Sequence, residues 1–278
     1  MNNLCIIILT YNEELNIKKC LKSIKDFADE IIIIDSGSND KTKNICEEFT
    51  VKFVHNKFIN QAQQFNWALK NLEIKSEWIM RLDADEEVSE SLAHEIKKNI
   101  KNENKINGFY INRRLIWCGK WIKYGGIYPL WIARIFRKGK AVYEERTEEH
   151  LIIDGKTDKI KGDLVENNLK NKIEFFTLKH IETAKGEVRE IFDKKFDKNI
   201  SSDKFINKNK LNRFFKINLF NKMPLFIRSL IYFIYRYIFR FGFLDGKAGF
   251  TFHFFQAFWY RMFIDMLANE KKNDDEKK

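Results

Sequence analysis

Two aspartates one residue apart close an apolar run in the first third of the chain. Asp83 and Asp85 follow residues 78–82 (Trp-Ile-Met-Arg-Leu), a run with the length and composition of a buried strand. Residues i and i+2 of a strand point to the same side, so both carboxylates can reach one divalent cation that also binds diphosphate oxygens. Taken alone, the triplet is more typical of the acidic start of a helix, which residues 89–93 predict.

Polar side chains also follow the first two predicted strands. The carboxyl ends of parallel strands meet at one edge of an open α/β sheet, and this edge is where such sheets bind ligands. An aromatic ring there can stack on a nucleobase, and a carboxylate can accept from a base N–H. The residues concerned are Thr10, Tyr11, Glu13 and Asp35.

The first half of the chain alternates short β-branched runs with helical patterns. Strands are predicted at 4–9, 30–34, 51–54, 77–82 and 108–112, and helices at 16–28, 41–48, 61–71 and 89–100. This alternation predicts an α/β fold with a mostly parallel sheet flanked by helices. Residues 119–141 mix Gly, Pro and aromatics, which favours a loop-rich binding surface.

These strand-end motifs resemble those of the family 2 glycosyltransferases of the GT-A fold. The matching segments are 9–14 (Leu-Thr-Tyr-Asn-Glu-Glu), 34–42 (Ile-Asp-Ser-Gly-Ser-Asn-Asp-Lys-Thr) and 78–86 (Trp-Ile-Met-Arg-Leu-Asp-Ala-Asp-Glu). Segments 128–131, 134–137, 242–250 and 256–261 are similar to the bacterial lipopolysaccharide-core β-1,4-glucosyltransferase-like branch. The resemblance covers about residues 1–155 and 240–265.

The resemblance implies a metal-dependent, inverting transfer of a hexose. The expected donor is a nucleotide-diphospho-sugar, preferably a UDP-sugar, and the expected acceptor is a hydroxyl of a lipopolysaccharide-core or lipid-linked glycan. A divalent metal, Mg²⁺ or Mn²⁺, would offset charge on the leaving diphosphate. The implied nucleotide-sugar site is Thr10, Tyr11, Glu13, Asp35 and Asp83, and the implied metal ligands are Asp85 and Asp83.

An inverting displacement also needs a carboxylate base. The branch carries Val-His-Glu at the place where residues 146–151 read Arg-Thr-Glu-Glu-His-Leu. The Val-His pair is absent, and the spacing favours Glu149 as the base with Glu148 second; a solvated acidic loop is the alternative. Arg134 and Arg137 are predicted to bind a diphosphate or a phosphorylated acceptor with paired N–H donors, or else to lie at the core edge.

The charge of the chain points to acidic partners. The net charge is +11 and the pI is near 9.3. Residues 211–267 hold eight basic and two acidic residues among many aromatics. Arg228, Arg236 and Arg240 recur at multiples of four and predict a cationic stripe on a helix, suited to lie on an anionic membrane surface.

Four domains or segments are predicted. They are a GT-A catalytic core at 1–160, a charged helical connection at 161–210, basic aromatic amphipathic helices at 211–268 and a disordered tail at 269–278. The four scattered cysteines and the lack of a basic leader favour the cytoplasm, peripheral on the inner face of the membrane. No nucleic-acid partner is expected.

Two other functions stay open at this point. A sugar nucleotidyltransferase of similar fold usually has a Gly-rich basic loop after the first strand, and residues 10–14 are neither Gly-rich nor basic. A non-catalytic basic protein that binds membrane or RNA is compatible with the aromatic, arginine-containing tail, although no nucleic-acid motif is present.

Overall fold

The computed structural model describes residues 3–102, 105–144, 151–170, 172–192 and 223–276. The chain forms two compact units, one of residues 1–121 with 127–170 and one of residues 122–126 with 171–278. The first unit extends beyond the predicted boundary at residue 160, because the strand that ends at Glu166 belongs to its sheet.

In the described residues of the first unit, strands and helices alternate from β1 to β4, and the later part is mostly strands. The strands are β1 Leu4–Thr10, β2 Glu30–Asp35, β3 Lys52–His55, β4 Trp78–Asp83, β5 Glu86–Val88, β6 Gly108–Trp117, β7 Lys120–Ile122, β8 Leu130–Arg137, β9 Ala141–Tyr143, β10 Leu151–Ile153 and β11 Thr157–Glu166. The helices are α1 Ile17–Ile24, α2 Thr42–Cys46, α3 Gln61–Asn71 and α4 Glu90–Asn102.

The central sheet has the order β3-β2-β1-β4-β8-β6-β11-β5, with β7 paired to β6. Strands β3, β2, β1 and β4 are parallel. Strand β1 is continuously apolar because both of its faces are buried: Ile6 and Ile8 belong to one core cluster, and Cys5 and Ile7 belong to the other. The predicted α/β fold is confirmed.

Residues 119–141 contain more regular structure than predicted. Strand β8 lies antiparallel between β4 and β6 and joins the two halves of the sheet. Its sequence is a poor strand signal because Arg134 and Arg137 interrupt the apolar run. Both arginines are tied to carboxylates, which compensates the cost of placing guanidinium groups in a sheet.

The described part of the second unit is helical. It comprises α5 Ile173–Phe192, α6 Ile227–Ile234, a π-helical turn Tyr235–Phe239, a 3₁₀ turn Gly242–Asp245, α7 Gly246–His253, a second π-helical turn Phe254–Trp259 and α8 Tyr260–Glu276. Helix α8 runs into the tail predicted to be disordered, where Lys272 and Glu276 form an i,i+4 pair at 3.7 Å. None of the described helices is long and apolar enough to cross a bilayer.

The predicted cationic stripe does not form an exposed face. Arg228 is paired with the buried carboxylate of Asp265, and the Arg236 Nε donates to the backbone oxygen of Gly125 at 2.8 Å. Of the three arginines, Arg240 is the exposed one. The spacing identified a common periodicity, but distant partners in the sequence decide which way each side chain points.

His253 is fully buried in the second unit beside two glycines. A Cβ on Gly125 would collide with the His253 Cε1, and one on Gly242 would lie 2.6 Å from the Nε2. Neither ring nitrogen has a hydrogen-bond partner among the described residues. Burial, with a smaller contribution from the Arg236 guanidinium, lowers the pKa of His253 to about 4.

This histidine predicts a pH dependence of stability. The unfolded chain takes up a proton near pH 6.5, whereas the folded protein resists it down to about pH 4. The contribution of neutral His253 is therefore complete above about pH 6.5 and is lost as the pH falls toward 4. In urea unfolding, His253→Gln should reduce the pH dependence over this range by about 3 kcal/mol.

The matched control is His94→Gln, since the His94 side chain is 79% exposed. This control should keep the wild-type dependence on pH. An unchanged slope in His253→Gln would contradict the assignment.

Candidate functional site

The carboxyl ends of β2, β1 and β4 form one polar edge of the sheet. In the register of these strands Thr10 lies opposite Asp35, and Leu9 lies opposite Asp83. Polar groups that are far apart in the sequence therefore come together at a single edge, as predicted from the strand order. This is the ligand-binding edge of an open α/β sheet.

Asp35 fixes the loop that follows β2. Its carboxylate accepts from the Thr10 Oγ1 at 2.9 Å, from the Ser38 Oγ at 2.5 Å, and from the backbone N–H groups of Gly37 and Ser38 at 2.8 Å each. Four protein donors fill the usual capacity of a carboxylate. In this arrangement Asp35 shapes the edge and positions Thr10 and Ser38, rather than offering an oxygen to a base N–H.

Tyr11 is presented on a fixed backbone. Its side chain is 57% exposed, while the next two backbone N–H groups, of Asn12 and Glu13, donate to the Ser38 Oγ at 2.8 Å and the Thr42 Oγ1 at 2.7 Å. An exposed ring on an anchored turn loses little conformational freedom when a planar group stacks on it. Tyr11 is thus suited to a nucleobase.

Two buried arginines form ion pairs with the carboxylates of Asp83 and Glu86, at the Asp-Ala-Asp turn. The Arg134 Nη2 donates to the Asp83 Oδ2 at 2.8 Å and to the Glu86 Oε1 at 2.6 Å. The Arg81 Nε lies 3.2 Å from the Asp83 Oδ1. The side chains of Arg81 and Arg134 are 5% and 8% exposed, so Asp83 is held in one orientation by two cations.

The two carboxylates of this group have opposite pKa shifts. Burial alone would raise the pKa of Asp83, but Arg134 and Arg81 outweigh burial and hold the pKa well below its usual range. Burial raises the pKa of Glu86 to about 8. The positive charge of Arg134 acts to lower this pKa, and the negative charge of Asp83 acts to raise it. Asp83 is therefore the stronger acid of the two carboxyl groups.

Asp85 lies beyond this group, in the turn after β4. The Asn168 Nδ2 donates to the Asp85 Oδ2 at 2.9 Å, and the Asn167 backbone N–H donates to the Asp85 backbone oxygen at 2.9 Å. The Asn168 Oδ1 in turn accepts from the Asn16 Nδ2 at 3.2 Å. These neutral amides orient the Asp85 carboxylate.

The donor set fits a divalent cation held mainly through Asp85. Mg²⁺ and Mn²⁺ prefer anionic oxygen ligands, and the charge of Asp83 is already matched by two guanidinium groups. The described ranges contain no group of three or more His, Cys, Asp or Glu side chains able to hold a metal.

Segment 167–170 completes this edge, and no sequence pattern predicted it. Besides the contacts to Asp85, the Lys170 Nζ lies 2.5 Å from the Glu13 Oε1 and 3.2 Å from the Asn12 backbone oxygen. The segment thus joins the turn after β1 to the turn after β4. The side chains of Asn168 and Lys170 are more than eighty positions from their partners Asp85 and Glu13, so no local pattern could reveal these contacts.

One predicted residue is not brought to this edge, and two others lie outside the described residues. Arg137 pairs with Glu77 and lies over the Trp78 ring at 4.4 Å, at the start of β4, the end opposite Asp83. Residues three apart on a strand point to opposite faces, which separates Arg137 from Arg134. The residues outside the described ranges are Glu148 and Glu149.

Asn168 offers a test of how Asp85 is oriented. The UDP expected as a ligand from the family resemblance should bind about tenfold more weakly to Asn168→Ala in the presence of Mn²⁺, because a carboxylate that must first be ordered binds less tightly. Asn167→Ala is the matched control, since the Asn167 contact to Asp85 uses a backbone N–H that alanine retains. Equal affinities for the two variants in calorimetry would show that the Asn168 amide does not act on Asp85.

The sequence profile described as Glycosyl transferase family 2 matches residues 5–147. An uncharacterized glycosyltransferase of Rickettsia bellii is 37% identical over 98 residues, which are 35% of this chain and 33% of that protein. The lipopolysaccharide core biosynthesis glycosyltransferase LpsC of Rhizobium meliloti is 26% identical over 159 residues, which are 55% of this chain and 58% of LpsC. The chain therefore matches about a third to three-fifths of the length of these relatives.

A solved structure with the same fold is the mannosyltransferase PcManGT of Pyrobaculum calidifontis in complex with GDP-Man and Mn²⁺. The TM-score is 0.55 at 15% sequence identity, over 99% of this chain and 88% of that chain. At this identity the likeness concerns the fold alone. It confirms the GT-A architecture expected from the strand-end motifs.

Proposed function

Since this chain belongs to glycosyl transferase family 2, we propose that it transfers a hexose from a UDP-sugar to a hydroxyl of a lipopolysaccharide-core or lipid-linked glycan. The observation that carries the proposal is the shared edge of β2, β1 and β4, where Thr10 lies opposite Asp35 and the neighbouring Leu9 lies opposite Asp83. Asp85 follows at the same edge, oriented by Asn168.

In the proposed donor site each residue has a separate task. Tyr11 stacks on the base, Thr10 and Asp35 hold the loop beneath it, and Glu13 fixes Lys170 beside the turn after β1. Asp83 is kept ionised and immobile by Arg81 and Arg134. Mg²⁺ or Mn²⁺ bound at Asp85 would stabilise the charge on the leaving diphosphate.

Arg134 has a different role from the one predicted for it. Its guanidinium is buried and already paired with Asp83 and Glu86, so it positions carboxylates rather than binding an acceptor phosphate. Two guanidinium groups already pair with Asp83, so in this proposal Asp83 is the supporting residue of the Asp-Ala-Asp motif and Asp85 the ligating one. We therefore assign the metal chiefly to Asp85.

The acceptor class is proposed from two supports. LpsC, named as a lipopolysaccharide core glycosyltransferase, matches more than half of the chain. The second unit carries exposed apolar side chains, and none of its described helices is long and apolar enough to cross a bilayer. A peripheral position on the inner face of the cytoplasmic membrane, an anionic surface, would bring the enzyme to a glycolipid acceptor.

Inversion at the anomeric carbon predicts a base among the glutamates at 148 and 149. We propose Glu149, with Glu148 second. Glu149→Gln should lower kcat for sugar transfer at least about a hundredfold with little change in donor affinity, since a general base acts in the chemical step. Glu148→Gln is the matched control and should retain most of the activity.

The product itself tests the reaction. With an α-linked UDP-hexose donor, NMR of the glycan should show a new β linkage. An α linkage would contradict the inverting mechanism, and a larger loss in Glu148→Gln than in Glu149→Gln would exchange the two assignments.

A further inference from the structure

Five large apolar side chains are exposed together between the first π-helical turn and α7. We call these residues the aromatic corner: Ile238, Phe239, Phe241, Phe243 and Leu244. Their exposed fractions are 52%, 68%, 56%, 43% and 53% in that order. Single exposed apolar residues are ordinary on protein surfaces, but a contiguous group of this kind marks an interaction site.

The backbone of the aromatic corner is fixed with its side chains outward. Phe241 has a φ of +60°, a left-handed conformation that bulky residues rarely adopt. The Phe241 N–H donates to the Ile238 oxygen and the Leu244 N–H donates to the Phe241 oxygen, both at 3.0 Å. The Arg240 oxygen accepts from the Gly125 N–H at 2.9 Å. The exposure is therefore a property of an ordered segment.

Ring contacts join the aromatic corner to α7. Phe241 and Phe243 have ring centroids 6.2 Å apart, Phe243 and Tyr237 are 6.4 Å apart, and Tyr237 and Phe250 are 5.6 Å apart. Phe250 is itself 46% exposed. The rings of Phe241 and Phe243 are thus linked through Tyr237 to Phe250, so that the apolar surface extends from the aromatic corner to α7.

Charges near the aromatic corner are of one sign. The single acidic residue in the sequence from 227 to 264 is Asp245. It is 3% exposed, and its carboxylate accepts from the backbone N–H groups of Lys123 and Tyr124 at 3.1 and 2.9 Å. Arg240 and Lys247 are exposed beside the corner.

We propose that the aromatic corner inserts into the interfacial layer of an anionic lipid bilayer. Apolar side chains would enter the acyl boundary while Arg240 and Lys247 meet anionic headgroups. A second copy of the chain fits this surface less well, because it would bring the same cations together. This inference rests on the proposed membrane-bound acceptor. Insertion of apolar side chains, rather than the predicted arginine stripe, would then be the main attachment of the protein to the membrane.

The test is flotation of the full-length chain with vesicles. One set contains phosphatidylcholine alone, and the other contains about one third phosphatidylglycerol to supply anionic headgroups. The double variant Phe239→Ser with Phe241→Asn removes two apolar side chains, and asparagine tolerates the left-handed backbone at 241. Leu178→Ser is the matched control, because Leu178 is 59% exposed on α5 and lies outside the corner.

Wild type and Leu178→Ser should float with both vesicle types and more strongly with the anionic ones. The double variant should bind both at least about tenfold more weakly, because it lacks two insertable aromatic groups. Equal flotation of the double variant, no flotation of the wild type, or a wild-type dimer that the double variant loses would each overturn the proposal.

UDP binding measured on the same preparations separates this inference from the proposed function. A double variant that binds UDP normally but not vesicles supports the insertion and shows that the first unit is intact. Wild type that binds vesicles but no nucleotide would contradict the transferase proposal and leave the insertion standing.

Discussion

Asp85→Asn is expected to lower kcat/KM for sugar transfer by about a thousandfold or more, because loss of a metal-binding carboxylate removes charge stabilisation that is needed mostly in the transition state. The substitution preserves size, and the amide oxygen can still accept from the Asn168 Nδ2. The free energy of unfolding should therefore change by less than about 1 kcal/mol. Initial rates at several donor concentrations give kcat/KM, and urea unfolding gives the stability.

The control for Asp85→Asn is Asp158→Asn, a change of the same kind at an exposed carboxylate of β11. Its activity should equal that of the wild type. Asp85→Asn with more than about a tenth of wild-type kcat/KM would rule out Asp85 as the main metal ligand, since an essential ligand cannot be neutralised at so small a cost.

Arg134→Met should destabilise the fold far more than Asp85→Asn does. It removes the shared cation of Asp83 and Glu86 and leaves carboxyl groups in a site where Glu86 is 1% exposed. Breaking a buried pair by deleting one partner costs about 3 kcal/mol or more. Chemical denaturation of the purified variant would measure the loss directly.

Two further variants make the Arg134 result specific. Adding Glu86→Gln to Arg134→Met should recover part of the loss, because a neutral side chain needs no cation. Lys18→Met removes a surface pair with Glu48 whose side chains are about half exposed and should cost less than about 1 kcal/mol. A loss of that small size for Arg134→Met would mean that the buried pairs contribute little to the fold.

The sequence predicted the sheet edge well because local rules determine it. Apolar runs that alternate with helical patterns define parallel strands, and the polar residues that end such runs must meet at one edge. Thr10, Asp35 and Asp83 were found in this way. The structural role of Asp35 was harder to predict from the sequence, because its four hydrogen bonds depend on how the loop of Gly37 and Ser38 folds back.

The rest of the site depends on contacts between distant segments. Asn168 and Lys170 lie after β11 and reach the turns after β4 and β1 across the folded sheet. Arg81, a charged residue inside an apolar strand, was a signal that could have been followed, because a buried cation requires a carboxylate partner. Arg134 and Arg137 were predicted to bind the same ligand because they are three residues apart. On strand β8, residues three apart point to opposite faces.

The same limit applies to the second unit. The spacing of Arg228, Arg236 and Arg240 at multiples of four suggested a common outward face, yet Arg228 is bound to Asp265. The second unit also exposes a group of apolar side chains, and for this reason the membrane attachment proposed above is mainly hydrophobic. Periodicity reports which residues can share a face, and burial decides which face is outside.

The measurement that tests the donor site most directly is calorimetric titration of the purified protein with UDP in Mn²⁺ and again in EDTA. We expect binding in Mn²⁺ that falls at least about tenfold in EDTA, and an equal fall for Asp85→Asn in Mn²⁺, because the cation links the carboxylate to the diphosphate. Binding of the same strength in all three titrations, or none in the first, would contradict a metal-assisted donor site at Asp85.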